Sequence, residues 1–394
     1  MLTHEHPLAC QLPKPTDTLS IQPPPSHFAE LCGLAHMPQT LEDHLNGDIP
    51  QIHLHVTNFI DGTLVTFNFC HVTLDAPSQT ALLRNWSRIL SGQESKVEPL
   101  LGARNDALWE AGAPNDASKK EVYMQRPRRL KGAKLVKFLS RMLWNSYRSP
   151  EKEAHMLCVP HQFFQNLRIQ AQVDIEDEGK DAFVGETDTL AAWAAHLVAT
   201  SEPKKRPITL VNAMNARYRL SRLSNDSQAY AQNMMLPISF TSLKTEEALG
   251  SIGRIARINR QHLIEQATEE QMRSFLRLAR KSRESGKGFM PIFGRSSAMP
   301  VFMNNLTKLG VLDAVDFSAA VTKDRTASGK KNAPGTPFYH HFQTIHAPSR
   351  VDLKIPDFVV FGKDHEDNYW IRVTAKPQVW ERIQQEMGKL DLKA

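Results

Sequence analysis

Apolar and polar residues alternate in two short runs near the start of the chain. Apolar side chains occupy every second position at 52–56 and again at 65–69. Alternation of this kind predicts two strands, each with one buried face. Asp61-Gly62 lies between the runs and favours a tight hairpin, because both residues tolerate positive φ. The same period continues to His71, which is therefore expected beside the buried face at the end of the second strand.

A helical pattern follows the hairpin directly. Apolar residues at 82–90 recur at helical spacing, and Gly92 is placed to end that helix. Residues 1–50 contain several prolines and predict an irregular lead-in. Both patterns recur downstream, with helices predicted at 134–146, 190–195, 246–263, 269–282 and from 378, and strands at 207–214, 234–240, 357–361 and 369–374. This mixture predicts an α/β fold.

Length and composition narrow the class of protein. The chain has 394 residues, of which 41% are hydrophobic, and this excludes intrinsic disorder for most of it. Its length fits two packed units of ~100–200 residues. No apolar run approaches the ~20 residues that cross a membrane, so no membrane partner is expected. Residues 1–15 lack a basic stretch leading into an apolar one, so no secretory signal is expected and a cytoplasmic location is predicted.

Charge and cysteine content bear on two further possibilities, a nucleic-acid partner and a metal site. The net charge is +6, but the basic residues are scattered, so no nucleic-acid partner is expected. The densest basic clusters lie at 126–137, 273–287 and 323–331, and each is interpreted either as a solvated surface or as a phosphate contact. The four cysteines form no C-x-x-C pair and the clustered histidines lack partner ligands, so no metal site is expected.

Residues 68–75 carry the strongest chemical signal in the chain. His71 and Asp75 form an H-x-x-x-D string between the second strand and the following helix. Histidine is the side chain best suited to take and return a proton near neutral pH. A second such string, at His44 and Asp48, lies in the lead-in without a framing strand or helix. Without further support, a core histidine and a helix-start aspartate would be the better interpretation.

The surroundings of the string supply that support. Residues 52–92 resemble the catalytic hairpin and following helix of the BAHD-type acyl-CoA-dependent acyltransferases, in particular their fungal branch. Further landmarks occur in the family's order, at 188–193 (D-T-L-A-A-W), 215–220 (N-A-R-Y-R-L), 230–233 (Y-A-Q-N) and 316–320 (D-F-S-A-A). The last of these stands where the family has D-F-G-W-G. The resemblance spans about residues 50–388 and depends on the shared order of these landmarks.

The resemblance implies a two-subdomain, chloramphenicol-acetyltransferase-like α/β fold with mixed sheets flanked by helices. The N-terminal subdomain is expected at 1–172 and carries the H-x-x-x-D motif after the irregular lead-in at 1–50. A crossover linker is expected at 173–186, and the C-terminal, CoA-side subdomain at 187–394. Only 70 residues precede His71, fewer than is usual in the family, which implies that the N-terminal subdomain is shortened.

The family also implies an activity, the transfer of an acyl group, expected to be acetyl, from acyl-CoA to a hydroxyl of a small secondary metabolite. His71 would be the catalytic general base in a tunnel between the subdomains. Asp75 would point away from the substrates and pair with an arginine that locks the loop. Arg217 is the best candidate, because a guanidinium grips a carboxylate with two hydrogen bonds. Arg219 is the second candidate, and surface charge at a strand end is the alternative for both.

Other landmarks imply supporting roles. Asn233, Asn305 and Thr307 correspond to regions that contact CoA or the developing oxyanion in the family. Asp316 and Phe317 are expected to be structural and to brace a strand edge near the CoA channel. Acyl-CoA is expected as a co-substrate and a small hydroxylated metabolite as the other partner of a monomer, with no bound cofactor and no metal.

Two other functions stay open. A shortened relative could bind CoA or a metabolite without turnover, since its N-terminal subdomain is reduced and its second motif is altered. A condensation-type domain could form ester or amide bonds from carrier-protein thioesters, although no carrier domain accompanies it in the sequence. The preserved His71 and Asp75 favour the acyltransferase. The identity of the acyl group and of the acceptor does not follow from the sequence, because variable side chains line such pockets.

Overall fold

The computed structural model describes residues 1–33, 37–38, 40–102, 104–113, 122–179, 182–223, 229–286, 291–322, 333–339 and 353–391. Its strands are β1 (Ser20–Gln22), β2 (Ile52–Asn58), β3 (Thr63–Phe69), β4 (Leu100–Leu101), β5 (Glu153–Val159), β6 (Ile208–Asn215), β7 (Ala229–Tyr230), β8 (Met235–Leu243), β9 (Met299–Asn305), β10 (Asp357–Lys363) and β11 (Tyr369–Ala375). Its helices are α1 (Leu41–Asn46), α2 (Ala76–Leu90), α3 (Ala107–Ala111), α4 (Gly132–Arg148), α5 (His161–Val173), α6 (Glu186–Ser201), α7 (Thr245–Ala248), α8 (Ile252–Gln266), α9 (Glu269–Glu284), α10 (Val311–Ala314) and α11 (Pro377–Asp391). This mixture confirms the predicted α/β class.

Seven strands form one mixed sheet in the order β1-β5-β11-β10-β9-β6-β8. Strand β9 runs parallel to both neighbours, β10 and β6, and the other pairs are antiparallel. Strand β5, from the predicted N-terminal subdomain, pairs with β11 along its whole length. The sheet is therefore continuous across the predicted boundary, and the predicted linker at 173–186 spans the connection from α5 to α6. The division into subdomains stays a prediction.

Helix α6 lies at the centre of the main hydrophobic core. Nearly all its residues at 190–198 are buried, and Trp193 is 1% exposed. A helix that is apolar on all sides is typical of an enclosed position. α6 packs against α8 and α11, and Trp193 Nε1 donates to Glu386 Oε2 on α11 at 2.9 Å. The buried helix α6 is therefore part of the core that supports the loops of the candidate site.

Two full-length strands of the sheet are absent from the sequence prediction. β5 shows no alternation over its second half, because residues 156–159 are buried on both faces. β9 contains Pro300, which argues against a strand because proline has no N–H to donate. The structure accommodates this proline because β9 pairs with β10 only from Phe302 onwards. The local sequence pattern could not show that Pro300 lies outside the part of β9 that pairs with β10, where its missing N–H is not needed.

The predicted hairpin is present, with β2 and β3 forming a two-stranded antiparallel sheet of their own. Its turn differs from the prediction, because four residues, 59–62, connect the strands and neither Asp61 nor Gly62 has a positive φ. Phe59 N donates to Gly62 O at 2.8 Å and closes this wider loop. The Asp-Gly pair thus predicts the position of the hairpin correctly, but the positive φ angles on which that prediction depended are not present.

The apolar face of the hairpin is exposed, whereas the alternation predicted that it would be buried. Ile52, Leu54 and Val56 are 40%, 49% and 44% exposed. The opposite face makes the contacts instead, since Leu64 packs in a cluster with Phe28 of the N-terminal segment. Alternation shows which side chains share a face, but it cannot show which of the two faces the rest of the chain covers.

Candidate active site

The loop that carries His71 connects the end of β3 to the start of α2. Pro77 lies in the first turn of α2, where backbone N–H groups have no partner within the helix. Asp75 is the N-cap residue and accepts a hydrogen bond from Ser78 N at 3.1 Å. Gly92 follows the end of α2 with a φ of 70°, in the left-handed region, which confirms its predicted role as helix terminator. The loop is therefore held between a strand and a well-capped helix.

Asp75 and Arg217 form a buried ion pair with two hydrogen bonds. Asp75 is 2% exposed and Arg217 is 8% exposed. Arg217 Nη1 donates to Asp75 Oδ2 at 3.0 Å, and Nη2 donates to Oδ1 at 2.9 Å. The same carboxylate accepts from Ser78 Oγ at 2.6 Å and from Met234 N at 2.7 Å. Burial alone raises the pKa of Asp75, but the hydrogen bonds and charge of Arg217 outweigh it and hold that pKa below its ordinary value.

Arg217 reaches this carboxylate from a short 3-10 turn after β6. Asn215 shapes the turn, because its side-chain oxygen accepts from Arg217 N at 3.1 Å. The guanidinium also donates to Tyr230 O at 2.9 Å and to Gln232 O. One arginine therefore joins the start of α2, the end of β6 and the segment before β8. Its burial is at odds with the alternative of surface charge at a strand end.

Arg219 and Ser78 complete the surroundings of this pair. Arg219 Nη1 donates to Asn215 O at 3.1 Å, and among the described contacts it makes none with Asp75. Ser78 Oγ donates to Asp75 and accepts from Arg217 Nη2 at 2.9 Å. Ser78 is not among the predicted site residues. The sequence does contain a hint of this role, because a serine three residues after an N-cap aspartate is placed to join the hydrogen bonds of that cap.

His71 lies beyond the hairpin with its side chain exposed. Its backbone carbonyl accepts a hydrogen bond from Asn233 Nδ2 at 2.6 Å, which joins the His71 loop to the segment between β7 and β8. The imidazole centroid lies 6.3 Å from the ring centroid of Phe69. Within the described part of the chain, no hydrogen bond or ion pair involves the imidazole, so both ring nitrogens are open to a bound molecule.

A cleft of about 450 Å³ opens beside this loop. Its lining includes Val72 of the His71 loop, Asn233, Trp109 of α3, and Leu276 and Arg280 of α9. The Arg280 guanidinium carbon lies 4.4 Å from the Trp109 ring centroid. Asn233 Oδ1 is buried and has no hydrogen-bond partner among the described residues. Half of the residues that line this cleft are polar or charged, and His71 itself is not among them.

Asn305 and Thr307 lie where β9 ends. Asn305 Oδ1 accepts from Thr307 N at 2.9 Å, and its Nδ2 donates to a threonine hydroxyl at the start of α6 at 3.3 Å. Leu306, between them, packs in one cluster with Ala76 of α2. Thr307 Oγ1 is buried without a partner in the ranges described. The structure thus brings this segment to the start of α2, but neither polar residue forms a described hydrogen bond with His71.

Asp316 and Phe317 pack against a helix, and not against a strand edge as the sequence analysis expected. Asp316 N donates to Ser87 Oγ on α2 at 3.0 Å. The Phe317 ring lies edge-on to Trp86 of the same helix, with centroids 4.9 Å apart. The pair lies shortly after α10 and braces α2 through these contacts with Trp86 and Ser87. A structural role for both residues is consistent with these contacts.

Some signals noted in the sequence fall on residues that the structure does not describe. The basic cluster at 323–331 and the histidines at 340, 341 and 346 lie outside the described residues. Over the described ranges, no group of three or more His, Cys, Asp or Glu side chains is placed to hold a metal ion. In the same ranges, no helix combines the length and the apolar character needed to cross a membrane. All four cysteines are free thiols, and burial raises the pKa of Cys158.

A family model and several curated relatives match most of this chain. The model described as "Transferase family" matches residues 23–317. O-acetyltransferase PaAT-2 of Phomopsis amygdali is 30% identical over 401 residues, which cover 98% of this chain and 80% of that protein. Acetyltransferase BOT5 of Botryotinia fuckeliana is 30% identical over 405 residues, which cover 97% of this chain and 73% of that protein.

A solved structure shares the fold. The F. graminearum TRI101 structure, complexed with coenzyme A and deoxynivalenol, superposes with a TM-score of 0.58. The match covers 86% of this chain and 69% of that one, at 15% sequence identity. At this identity the likeness concerns the fold alone.

Proposed function

Because the chain belongs to the Transferase family, the BAHD-type acyltransferases that act on secondary metabolites, we propose that it transfers an acyl group from acyl-CoA to a hydroxyl of a small metabolite. The observation that carries this proposal is the placement of His71, whose exposed imidazole follows the hairpin on a loop anchored by Asp75 and Arg217. Two fungal relatives are named acetyltransferases, which supports acetyl as the acyl group.

His71 acts as the general base in this proposal. A neutral imidazole nitrogen takes the proton of the acceptor hydroxyl while the hydroxyl oxygen attacks the thioester carbonyl carbon, so that the C–O bond forms. The C–S bond then breaks, and the CoA thiolate takes the proton back from the imidazolium. No protein group is acylated, and the proton and electron pairs balance between the two substrates. Proton transfer of this kind typically accelerates a reaction ~10²–10⁴-fold.

Asp75 and Arg217 are positioning residues in this proposal. Oδ1 of Asp75 accepts from Ser78 N, Ser78 Oγ and Arg217 Nη2, and Oδ2 accepts from Arg217 Nη1 and the backbone N–H groups of Met234 and Met235. A carboxylate so fully occupied has no capacity left to accept a proton from a substrate. Its effect on rate is through loop geometry, where a displacement of ~1 Å can lower a rate about 10²-fold.

Asn233 and Thr307 differ in what they can offer a substrate. Asn233 Nδ2 already donates to His71 O, so its free atom is the acceptor Oδ1. That atom suits an N–H or O–H of a substrate and not an oxyanion. Thr307 Oγ1 is a hydroxyl without a described partner and can donate to the oxyanion or to CoA. Asn305 positions Thr307 by accepting its backbone N–H.

The test uses the purified chain with acetyl-CoA and longer acyl-CoAs against a panel of hydroxylated metabolites. We expect thiol release that requires the acceptor, and an acceptor product heavier by one acyl group. The O-methylated form of each active acceptor is the matched control, and it should give no product. Acylation of amines alone would contradict the hydroxyl assignment. Turnover only with carrier-protein thioesters would favour the condensation-type alternative, and CoA binding without thiol release would favour the non-catalytic one.

A further inference from the structure

Helix α4 packs against the rest of the protein along one narrow face. Phe138 and Met142 are its buried residues, and they cluster with Ile292, Leu353 and Ile355. With about 100° between successive residues, Met142 lies about 40° from Phe138 around the helix axis. The side opposite Phe138 therefore faces solvent.

That outer side is apolar. Val136, Leu143, Trp144 and Tyr147 are 66%, 47%, 59% and 87% exposed. They lie between about 140° and 240° from Phe138 around the helix, so they form one continuous face. Four large apolar side chains exposed along one helix are uncommon on a soluble surface and mark an interaction site.

A cationic stripe borders this face. Lys134, Lys137 and Arg148 are exposed and lie between about 260° and 320° from Phe138, whereas the Arg141 side chain turns inward and donates to Ala298 O at 2.6 Å. Residues 126–148 contain eight basic residues and no acidic one, whereas the whole chain carries a net charge of only +6. The rest of the chain is thus slightly acidic, and its positive field is concentrated at α4 and the segment before it.

We propose that the outer face of α4 docks on an anionic lipid bilayer, with Trp144 and Tyr147 in the headgroup region and Lys134 and Lys137 against the lipid phosphates. An interfacial helix is defined by this combination of an apolar face, aromatic residues and a cationic border. The Arg148 guanidinium carbon lies 5.5 Å from the Trp144 ring centroid, so charge and aromatic surface are adjacent. The proposal revises the expectation of no membrane partner.

The charge of the segment argues against other occupants. A second copy of this chain, docked through the same face, would bring two strongly basic segments together and be repelled. A nucleic acid would use the cations but would leave the four apolar side chains in water. A lipid surface uses both features, since each Lys or Arg near an anionic bilayer contributes about 1 kcal/mol and the apolar face adds burial.

The test is co-sedimentation of the full chain with phosphatidylserine–phosphatidylcholine vesicles and with phosphatidylcholine vesicles. We expect binding to the anionic vesicles that weakens with added salt. Lys134→Gln with Lys137→Gln should weaken it about thirtyfold, and Trp144→Ser with Tyr147→Ser about tenfold or more. Matched controls on other helices are Ile169→Ser, at a position 60% exposed, and Lys281→Gln, at an exposed position. Both controls should bind as the wild type does.

Any one of three binding results would overturn the proposal: no binding to anionic vesicles, equal binding to neutral vesicles, or equal binding by the α4 variants and the controls. A dimer in sedimentation velocity that Trp144→Ser with Tyr147→Ser dissociates would assign the face to a second copy and would also overturn it. Circular dichroism and unfolding midpoints of all variants establish that each is folded, which the exposure of every substituted side chain predicts.

Discussion

Replacing Asp75 with asparagine isolates the contribution of the buried ion pair. The change keeps the shape of the side chain and removes its charge, so Arg217 is left 8% exposed without a carboxylate. In asparagine, an NH2 group replaces one of the two carboxylate oxygens. Because every current partner of Asp75 is a hydrogen-bond donor, this NH2 group would face donors. Breaking a buried pair in this way typically destabilises a protein by ~3–5 kcal/mol. Total stabilities are about 5–15 kcal/mol, so we expect a large share to be lost.

The assay is urea unfolding followed by tryptophan fluorescence, with the free energy of unfolding determined for each variant. Asp357→Asn is the matched control, because the Asp357–Arg372 pair has the same 3.0 Å contact but side chains that are 32% and 15% exposed. We expect that control to cost about 1 kcal/mol or less. The double variant Asp75→Asn with Arg217→Met should recover part of the loss, because no unpaired charge stays buried.

The kinetic readout separates positioning from chemistry. If Asp75 only holds the loop, Asp75→Asn should lose stability first, and its activity should recover partly in the double variant or under stabilising conditions. An Asp75→Asn protein with the wild-type free energy of unfolding and a greatly reduced kcat would refute the positioning role. It would instead require the carboxylate to act on the substrates.

The remaining predictions concern pH and the anchor of the His71 loop. Folding lowers the pKa of Asp75, so its ion pair stabilises the protein above the unfolded carboxyl pKa of about 3.9, and this contribution is lost as pH falls through the lower folded value. The difference in unfolding free energy between wild type and Asp75→Asn should therefore shrink below about pH 4, and a difference that stays constant into the acid range would contradict this. Asn233→Ala removes the hydrogen bond to His71 O and should lower kcat about tenfold while costing ~1 kcal/mol of stability. An unchanged kcat would show that this hydrogen bond does not position the loop.

The sequence carried enough information to identify the family and the α/β class, and both predictions are confirmed. The family resemblance also implied that Asp75 pairs with an arginine, with Arg217 as the best candidate, and the structure contains this contact. The role of Ser78 in the cap was not predicted, because the exact start of the helix at Ala76 is known only from the structure.

Other features depend on tertiary contacts that local pattern does not contain. Pro300 concealed β9, because only the register with β10 shows that its missing N–H is not required. Alternation at 52–56 identified one face of the hairpin but not the fact that the N-terminal segment covers the other. Phe317 was assigned to a strand edge, and its partner is Trp86 on α2, more than two hundred positions away in the sequence.

The most direct test of the account is the rate of acceptor-dependent thiol release from acyl-CoA by wild type and by His71→Ala, each at the same concentration of folded protein. His44→Ala, from the second H-x-x-x-D string, is the matched control; the expectation that no helix frames this histidine is wrong, because His44 lies on α1. We predict that His71→Ala loses about 10²–10⁴-fold in kcat while His44→Ala keeps the wild-type rate. A His71→Ala protein that turns over as fast as wild type would contradict the account.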